Sequence, residues 1–370
     1  MLSKERLIQT FIEMVKVDSP SWEEKPMADW MLNYLKERGI EATIDNAGAA
    51  YGGNSGNIVA HIPGEPGSMP ICFACHMDQI APCHGVKPVI DGDIIRSDGT
   101  TTLGGDDKAG IASILEALED VLESGVKHRD IYLLFTVSEE TGMLGAKNFD
   151  ASRLPCKDLL VIDAVDNTGV IAYKAPALEA IEVTFHGRKA HAGLEPEKGI
   201  SAITVASHAI SEMHLGRLDA TTTANIGRIE GGDATNVVTD LVRFTAEIRA
   251  HSMERLQEEI DHMESCCKKA CAEFGGTVDF VHSLSYPNFS LDLEEPVVKM
   301  TMAAMEKVGV TPKPMVIGGG SDANIVASKG YRSVILSCGM FNVHTVDEYL
   351  DTNEMWKATQ INRILMGLDA

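Results

Sequence analysis

The 370-residue chain carries 54 Asp+Glu against 32 Lys+Arg, a formal net charge of -22. At roughly 100–200 residues per domain, this length implies two or three domains and is enough to bury a core without disulfide staples; 44 % hydrophobic and 23 % charged residues is ordinary for a soluble globular protein. The acidic balance argues against a duplex or an anionic membrane as main partner, because both demand clustered Lys and Arg, and leaves small substrates and metal ions open.

The chain opens with an amphipathic pattern (Leu7, Ile8, Phe11, Ile12, Val15) interrupted by Lys4, Glu5, Arg6, Glu13 and Lys16. That is a helix and not a signal peptide, and the longest apolar run, Ile131 to Val137, is far short of a membrane span. A second helix is expected from Ser21, with Glu24 at capping-box spacing, to a stop at Gly39. Short strands are expected at 40–45, 57–62 and 71–75, then a long helix at 109–123 and buried strands at 131–137 and 159–162. Apolar strands alternating with helices imply an α/β fold: a mixed, largely parallel sheet flanked by helices.

From about residue 178 the pattern changes. Strands at 178–185, 222–230, 241–250 and 277–284 and helices at 199–214 and 253–274 follow a β-α-β-β-α-β order, that of an inserted α+β domain. Residues 286–370 return to α/β, with a helix near 295–308, strands at 314–317 and 333–337 and a final helix from Asn353. The expected domains are therefore 1–177 and 286–370, forming one split body, and an inserted 178–285. Eight cysteines are too sparse for a disulfide scaffold. Cys72 and Cys75 have redox-motif spacing but lie inside an apolar run, which reads as buried thiols; Cys266, Cys267 and Cys271 share a helix. A cytoplasmic protein is expected.

In open α/β sheets ligands bind beyond the carboxyl ends of the strands. There the sequence places His76 and Asp78, Glu139 and Glu140, Asp163, and, after the strand at 333–337, His344; Asp106 opens the long helix. Each has an ordinary reading alone: core or surface histidine, N-cap, turn residue or solvated acid. Together at one sheet edge, so many carboxylates would repel unless a cation is present. Two imidazoles with several carboxylates suit Zn2+, or Co2+ or Mn2+, and their number suits two ions sharing one carboxylate.

Five motifs in order carry a resemblance. They are Ala74-Cys75-His76-Met77-Asp78, Gly104-Gly105-Asp106-Asp107-Lys108-Ala109-Gly110, Ser138-Glu139-Glu140-Thr141-Gly142, Val161-Ile162-Asp163, and Asn342-Val343-His344 with Glu348 four residues on. Over nearly its whole length the chain resembles the co-catalytic zinc peptidase and deacylase superfamily, and within it the peptidase T-like branch. The resemblance implies that His76 and Asp163 bind one Zn2+, Glu140 and His344 a second, and that Asp106 bridges both. It implies that Asp78 orients His76 and that Glu139 is the general base. Asp at position 163 is the family's aminopeptidase pattern.

In the inserted segment, His186-Gly187-Arg188-Lys189-Ala190-His191-Ala192-Gly193 resembles the family's lid motif, and His191, Asn236 and Arg249 match substrate-binding positions. Their ordinary readings are a surface histidine, a turn residue and a strand salt bridge. Gly318-Gly319-Gly320-Ser321-Asp322 lacks the Lys-Ser/Thr ending of a phosphate-binding loop; the family reading is a backbone loop near the substrate. The implied function is a di-zinc aminopeptidase or tripeptidase acting on short peptides, working as a homodimer through the inserted domain, with no nucleic acid or membrane partner. The alternative is a related di-zinc amidase such as an N-acyl amino acid deacylase or a dipeptidase.

Overall fold

A computed structural model describes residues 1–368. It contains, in chain order, α1 (Lys4–Val15), α2 (Lys25–Glu37), β1 (Ala42–Ile44), β2 (Ile58–Ile62), β3 (Ile71–His76), β4 (Val89–Asp91), β5 (Ile94–Arg96), α3 (Gly105–Ser124), β6 (Ile131–Thr136), α4 (Leu144–Lys147), β7 (Asp158–Ala164) and β8 (Val170–Ala175). There follow β9 (Ala177–His186), α5 (Ala202–Glu212), β10 (Gly216–Arg217), β11 (Thr222–Gly231), β12 (Leu241–Ala250), α6 (Met253–Phe274), β13 (Thr277–Tyr286) and β14 (Phe289–Ser290). The last elements are α7 (Pro296–Lys307), β15 (Lys313–Val316), α8 (Asp322–Ser328), β16 (Arg332–Ser337), β17 (Met340–Phe341), β18 (Tyr349–Asp351) and α9 (Thr352–Met366). Two compact units result. One comprises Met1–Lys174, Leu291–Val316 and the chain from Ser321; the other comprises Ala175–Ser290 and Ile317–Gly320.

In the first unit the strands run β1-β2-β6-β3-β7-β16-β8, with β15 beside β8. The centre, β6-β3-β7-β16, is parallel, and β1, β2 and β8 join antiparallel. Strands buried on both faces read as unbroken apolar runs, and β3 and β6 are buried at every position. Helix α3 lies against them with Ile111, Ile114, Leu115 and Leu118 in the core. A small second sheet, β17-β18-β5-β4, completes the unit.

The second unit is an antiparallel sheet, β10-β11-β12-β9-β13. Residues of β9 and β12 alternate in burial, as expected where one face meets helices. Val183, Phe185, Phe244 and Ile248 pack with Leu256, Ile260 and Met263 of α6.

Two local expectations need correction, and several short elements were not expected. Helix α2 begins at Lys25 with Glu24 as N-cap and no side-chain capping bond, so Ser21 and Glu24 form no capping box. Their side chains are taken by distant partners described below. The short hairpin β4–β5 and strand β8 had no signal in the alternation pattern; Val89 and Ile90 in the hairpin are exposed. The start of α3 is not helical: Asp106 has φ -78 and ψ 106 and Asp107 φ -117 and ψ 26, so this acidic pair stands on a turn that leads into the helix. All eight cysteines are free thiols, and burial pushes Cys72 and Cys75 well up from the ordinary range. Among the described residues no helix is long and apolar enough to cross a membrane.

Candidate metal centre

The first unit's parallel strands end together, and the acids and imidazoles of the motifs stand at those ends. His76 is the last residue of β3, paired in register with Thr136 of β6. Asp163 is near the end of β7. Glu139 and Glu140 follow β6 in a tight turn where Ser138 takes φ +54 and Met143 φ +59. His344 takes φ +65 in the loop between β17 and β18. Left-handed backbone at non-glycine residues is uncommon and clusters at functional sites.

Asp106 sits between the two imidazoles. Its Oδ1 is 2.9 Å from His76 Nε2 and its Oδ2 is 3.2 Å from His344 Nε2. Glu140 Oε2 is 3.0 Å from His344 Nε2, and Asp163 Oδ1 is 3.8 Å from His76 Nε2. His76, Asp106 and Glu140 each offer a ligand atom within 4.8 Å of the others, and so do His76, Asp107 and Asp163.

The electrostatics are those of a cluster missing positive charge. Burial raises the Asp163 carboxyl well above its usual range, and the charge of Asp106 adds to that. Burial does the same to Glu139, opposed by His76 and reinforced by Asp322 and Glu140. Burial opposes charging of His76, but hydrogen bonds to Asp106 and Asp78 raise it well above the ordinary imidazole range. His344 is pushed up to about 10 by its hydrogen bonds to Asp106 and Glu140. Both rings thus aim Nε2 at carboxylate oxygens. Glu140 Oε1 is buried without a hydrogen-bond partner among the described residues. An orphaned carboxylate oxygen, two converging imidazole nitrogens and a carboxylate split between them fit divalent cations.

Asp78 is completely buried, and its carboxylate does more than face His76. Oδ1 accepts from the Glu139 N–H (3.0 Å); Oδ2 accepts from the Glu140 N–H (3.2 Å) and the Ser21 hydroxyl (2.6 Å). His76 Nδ1 is 3.4 Å from Oδ1 but donates at 3.0 Å to the Asp78 backbone carbonyl. Burial alone would raise this carboxyl; His76, then Ser21 and the Glu139 N–H, hold it below its usual range. Glu24, also buried, accepts from Ser138 Oγ (2.6 Å) and the Trp22 N–H (2.9 Å) and so braces the same turn.

Two further acids, quoted above without a role, also belong to this cluster of buried acids. Asp107 accepts from the His76 N–H (3.3 Å) through Oδ2. Asp322, buried at the start of α8, accepts from Thr136 Oγ1 (2.5 Å), while its Oδ1 has no partner among the described residues. Burial raises Asp322 to about 6. The available signal was an acid directly after a glycine run and a serine N-cap.

In the second unit, His191 is exposed and its Nδ1 accepts from the N–H groups of Gly193 (3.1 Å) and Leu194 (3.2 Å). Asn236 is exposed, and its carbonyl accepts from the Ala192 N–H at 3.0 Å. Arg249 on β12 donates to both oxygens of Glu247 (2.9 and 3.3 Å) and to the Gly318 carbonyl (3.1 Å).

Comparison with known proteins follows the same division. Residues 178–275 match the peptidase dimerisation domain of the M20 peptidases, and residues 89–177 match the M42 glutamyl aminopeptidase family. An uncharacterised protein of Bacillus subtilis, YqjE, is 37 % identical, with 98 % of this chain and 97 % of that protein aligned. The crystal structure of aminopeptidase PepT from Bacillus cereus is 38 % identical with a TM-score of 0.95, over 99 % of this chain and 98 % of that one. A tripeptidase from Staphylococcus aureus is 35 % identical with a TM-score of 0.96 over the same shares. A dinuclear metal-binding M20 peptidase of Bacillus subtilis shares the fold at 18 % identity and a TM-score of 0.76. Near-complete alignment at this identity, with the site residues at the strand ends, means that the chain is a peptidase belonging to the peptidase T-like branch of the M20 family.

Proposed function

We propose that this protein is a di-zinc aminopeptidase that removes N-terminal residues from short peptides. The observation that carries the reading is Asp106, whose two oxygens face two different imidazoles. In this reading His76 and Asp163 hold one ion, Glu140 and His344 the other, and Asp106 is shared. When bound, the ions supply Lewis acidity for the scissile carbonyl and acidify water.

Glu139 is the general base. Its backbone N–H donates to Asp78, which directs the residue through its main chain rather than through its carboxylate. A carboxyl raised by burial is a better proton acceptor than an ordinary one. It takes a proton from the attacking water and returns it to the leaving amine nitrogen. Arg249 and Asn236, on the second unit, bind the peptide, and a guanidinium suits its terminal carboxylate. His191 completes the substrate contacts. The match to the dimerisation domain supports a homodimer formed through the second unit.

The test joins metal analysis to hydrolysis of a free-amine di- and tripeptide library beside N-acyl amino acids. Two Zn2+ per chain and preference for the free-amine peptides are expected. Glu139→Gln should lower kcat by about 10²–10⁴-fold with metal content unchanged. Preferential cleavage of the acylated set would overturn the aminopeptidase reading in favour of a deacylase.

A further inference from the structure

Glu348 is 2 % exposed and lies four residues beyond His344. Its carboxylate reaches across to the loop that carries Asp106. Oε2 accepts from the N–H groups of Leu103 (2.7 Å) and Gly104 (3.0 Å), and Oε1 accepts from the N–H of Asp106 itself (3.0 Å). A buried carboxylate is costly unless its oxygens are satisfied, and three backbone donors do that here. The segment between His344 and Glu348 is itself tied. The Glu348 N–H donates to the Thr345 carbonyl (3.2 Å), and Thr345 Oγ1 donates to the Asn342 carbonyl (2.7 Å). Immediately after, Tyr349 pairs with Arg96 in the small sheet.

The opposite side of the same loop is also gripped. Gln79 Nε2 donates to Thr102 Oγ1 (2.9 Å), and its Oε1 accepts from the fully buried Lys108 Nζ (2.9 Å). This explains the two glycines that precede Asp106. A Cβ on Gly104, at φ +78, would stand 2.5 Å from Gln79 Oε1; one on Gly105 would stand 2.9 Å from Glu348 Oε1. Asp106 is therefore joined to the His344 loop twice, by its carboxylate to the imidazole and by its own N–H to Glu348.

We propose that Glu348 is a positioning residue of the metal centre. It clasps the Asp106 loop to the His344 loop and sets the spacing at which the shared carboxylate meets the second imidazole. The inference rests on the two-metal reading, and the experiment separates the two. Full-length protein, stripped with chelator, is titrated with Co2+ and followed by calorimetry and by visible d–d absorption, which reports ligand geometry. The wild type should take two equivalents. Glu348→Gln keeps the shape but has one acceptor oxygen, so at least one N–H faces an amide NH2. Its weaker equivalent should lose about 10–100-fold in affinity, and the spectrum of the loaded protein should shift. The melting temperature without metal should fall by no more than a few degrees. Gly105→Ala displaces the clasp and keeps the carboxylate; it should shift the spectrum in the same way and covers the case of a poorly folding Glu348 variant. Wild-type spectrum and affinity in both variants, or equal weakening of both equivalents in step with a lost melting temperature, overturns the inference while the two-metal reading stands. A wild type that takes up no Co2+ overturns the two-metal reading, and this inference with it.

Discussion

The two units treat charge in opposite ways. In the first, Asp78, Asp106, Asp107 and Asp322 are buried, and most of their partners are backbone N–H groups, hydroxyls or imidazoles rather than Lys or Arg. In the second, only Glu179 and Glu259 among the described acids and bases are buried, and the rest stand on loops, helices and strands at the surface, where pairs such as Lys189–Asp233 and Arg228–Glu230 are exposed. Exposed pairs of that kind contribute about 0–1 kcal/mol and cost little to change. Buried acids without a basic partner are expensive, and a fold retains them where a cation or a reaction uses them. The contrast separates a unit built around a charge deficit from one built as a scaffold, and substitutions in each should differ in kind.

The largest effect should come from Asp106→Ala. It removes both oxygens that face His76 and His344, so metal content should fall below two per chain and kcat/KM by roughly 10³-fold or more. Elemental analysis of the gel-filtered variant and a peptide assay at saturating Zn2+ check this. Full metal content with retained activity would erase the contrast between the units.

Asp78→Asn should come next, at about 10–100-fold in kcat. Its single acceptor oxygen cannot serve the Glu139 N–H, the Glu140 N–H and the Ser21 hydroxyl as the carboxylate does. Because the residue holds the turn rather than the substrate, KM should change little. A rise in KM with unchanged kcat would place Asp78 in peptide binding.

How much of this was legible depends on how far each signal reaches along the chain. Buried parallel strands announce themselves as apolar runs, so the strand ends, and with them His76, Asp163 and the Glu139-Glu140 pair, could be located from sequence. The order of elements in the second unit was legible for the same reason, through alternation in β9 and β12. Ser21 and Glu24 were misread because a capping box and a pair of long-range partners look identical locally. Ser21 bonds Asp78, 57 positions away, and Glu24 bonds Ser138, 114 positions away. Asp322 was hidden behind a glycine run that drew attention to the backbone. The Asp78 bonds to the backbone of residues 139 and 140 leave no trace in residue type, since every residue except proline has an N–H.

Within the second unit, Arg249→Ala sharpens the comparison. The guanidinium already has Glu247 across its fork, so a peptide carboxylate must share or displace that partner. The gain from binding is therefore modest. KM for peptides with a free C-terminus should rise about tenfold, the scale of one charged hydrogen bond, while kcat and metal content hold. C-terminally amidated peptides should respond little. Equal loss for both peptide forms would assign Arg249 to holding the Gly318 carbonyl rather than to substrate.

The smallest effect is on stability, and its sign tests whether the first unit's charge deficit extends to Asp322. Folded, this carboxyl sits at about 6 because of burial; unfolded, it returns to an ordinary 3.8. Between those values the folded state binds more protons than the unfolded one, so stability falls as pH rises through about 4 to 6. The contribution is fully present below the unfolded value and lost as pH passes the folded one. Asp322→Asn cannot titrate. Its amide oxygen can still accept from Thr136, but its NH2 takes the place of the unpartnered Oδ1 and lowers stability at every pH. The informative quantity is therefore the difference in melting temperature between variant and wild type, measured on chelator-treated protein across this range. That difference should move in favour of the variant as pH rises, by an amount corresponding to roughly 1–3 kcal/mol. A flat difference would mean that a neighbouring positive group already balances Asp322, and that the excess of buried negative charge ends at Glu139.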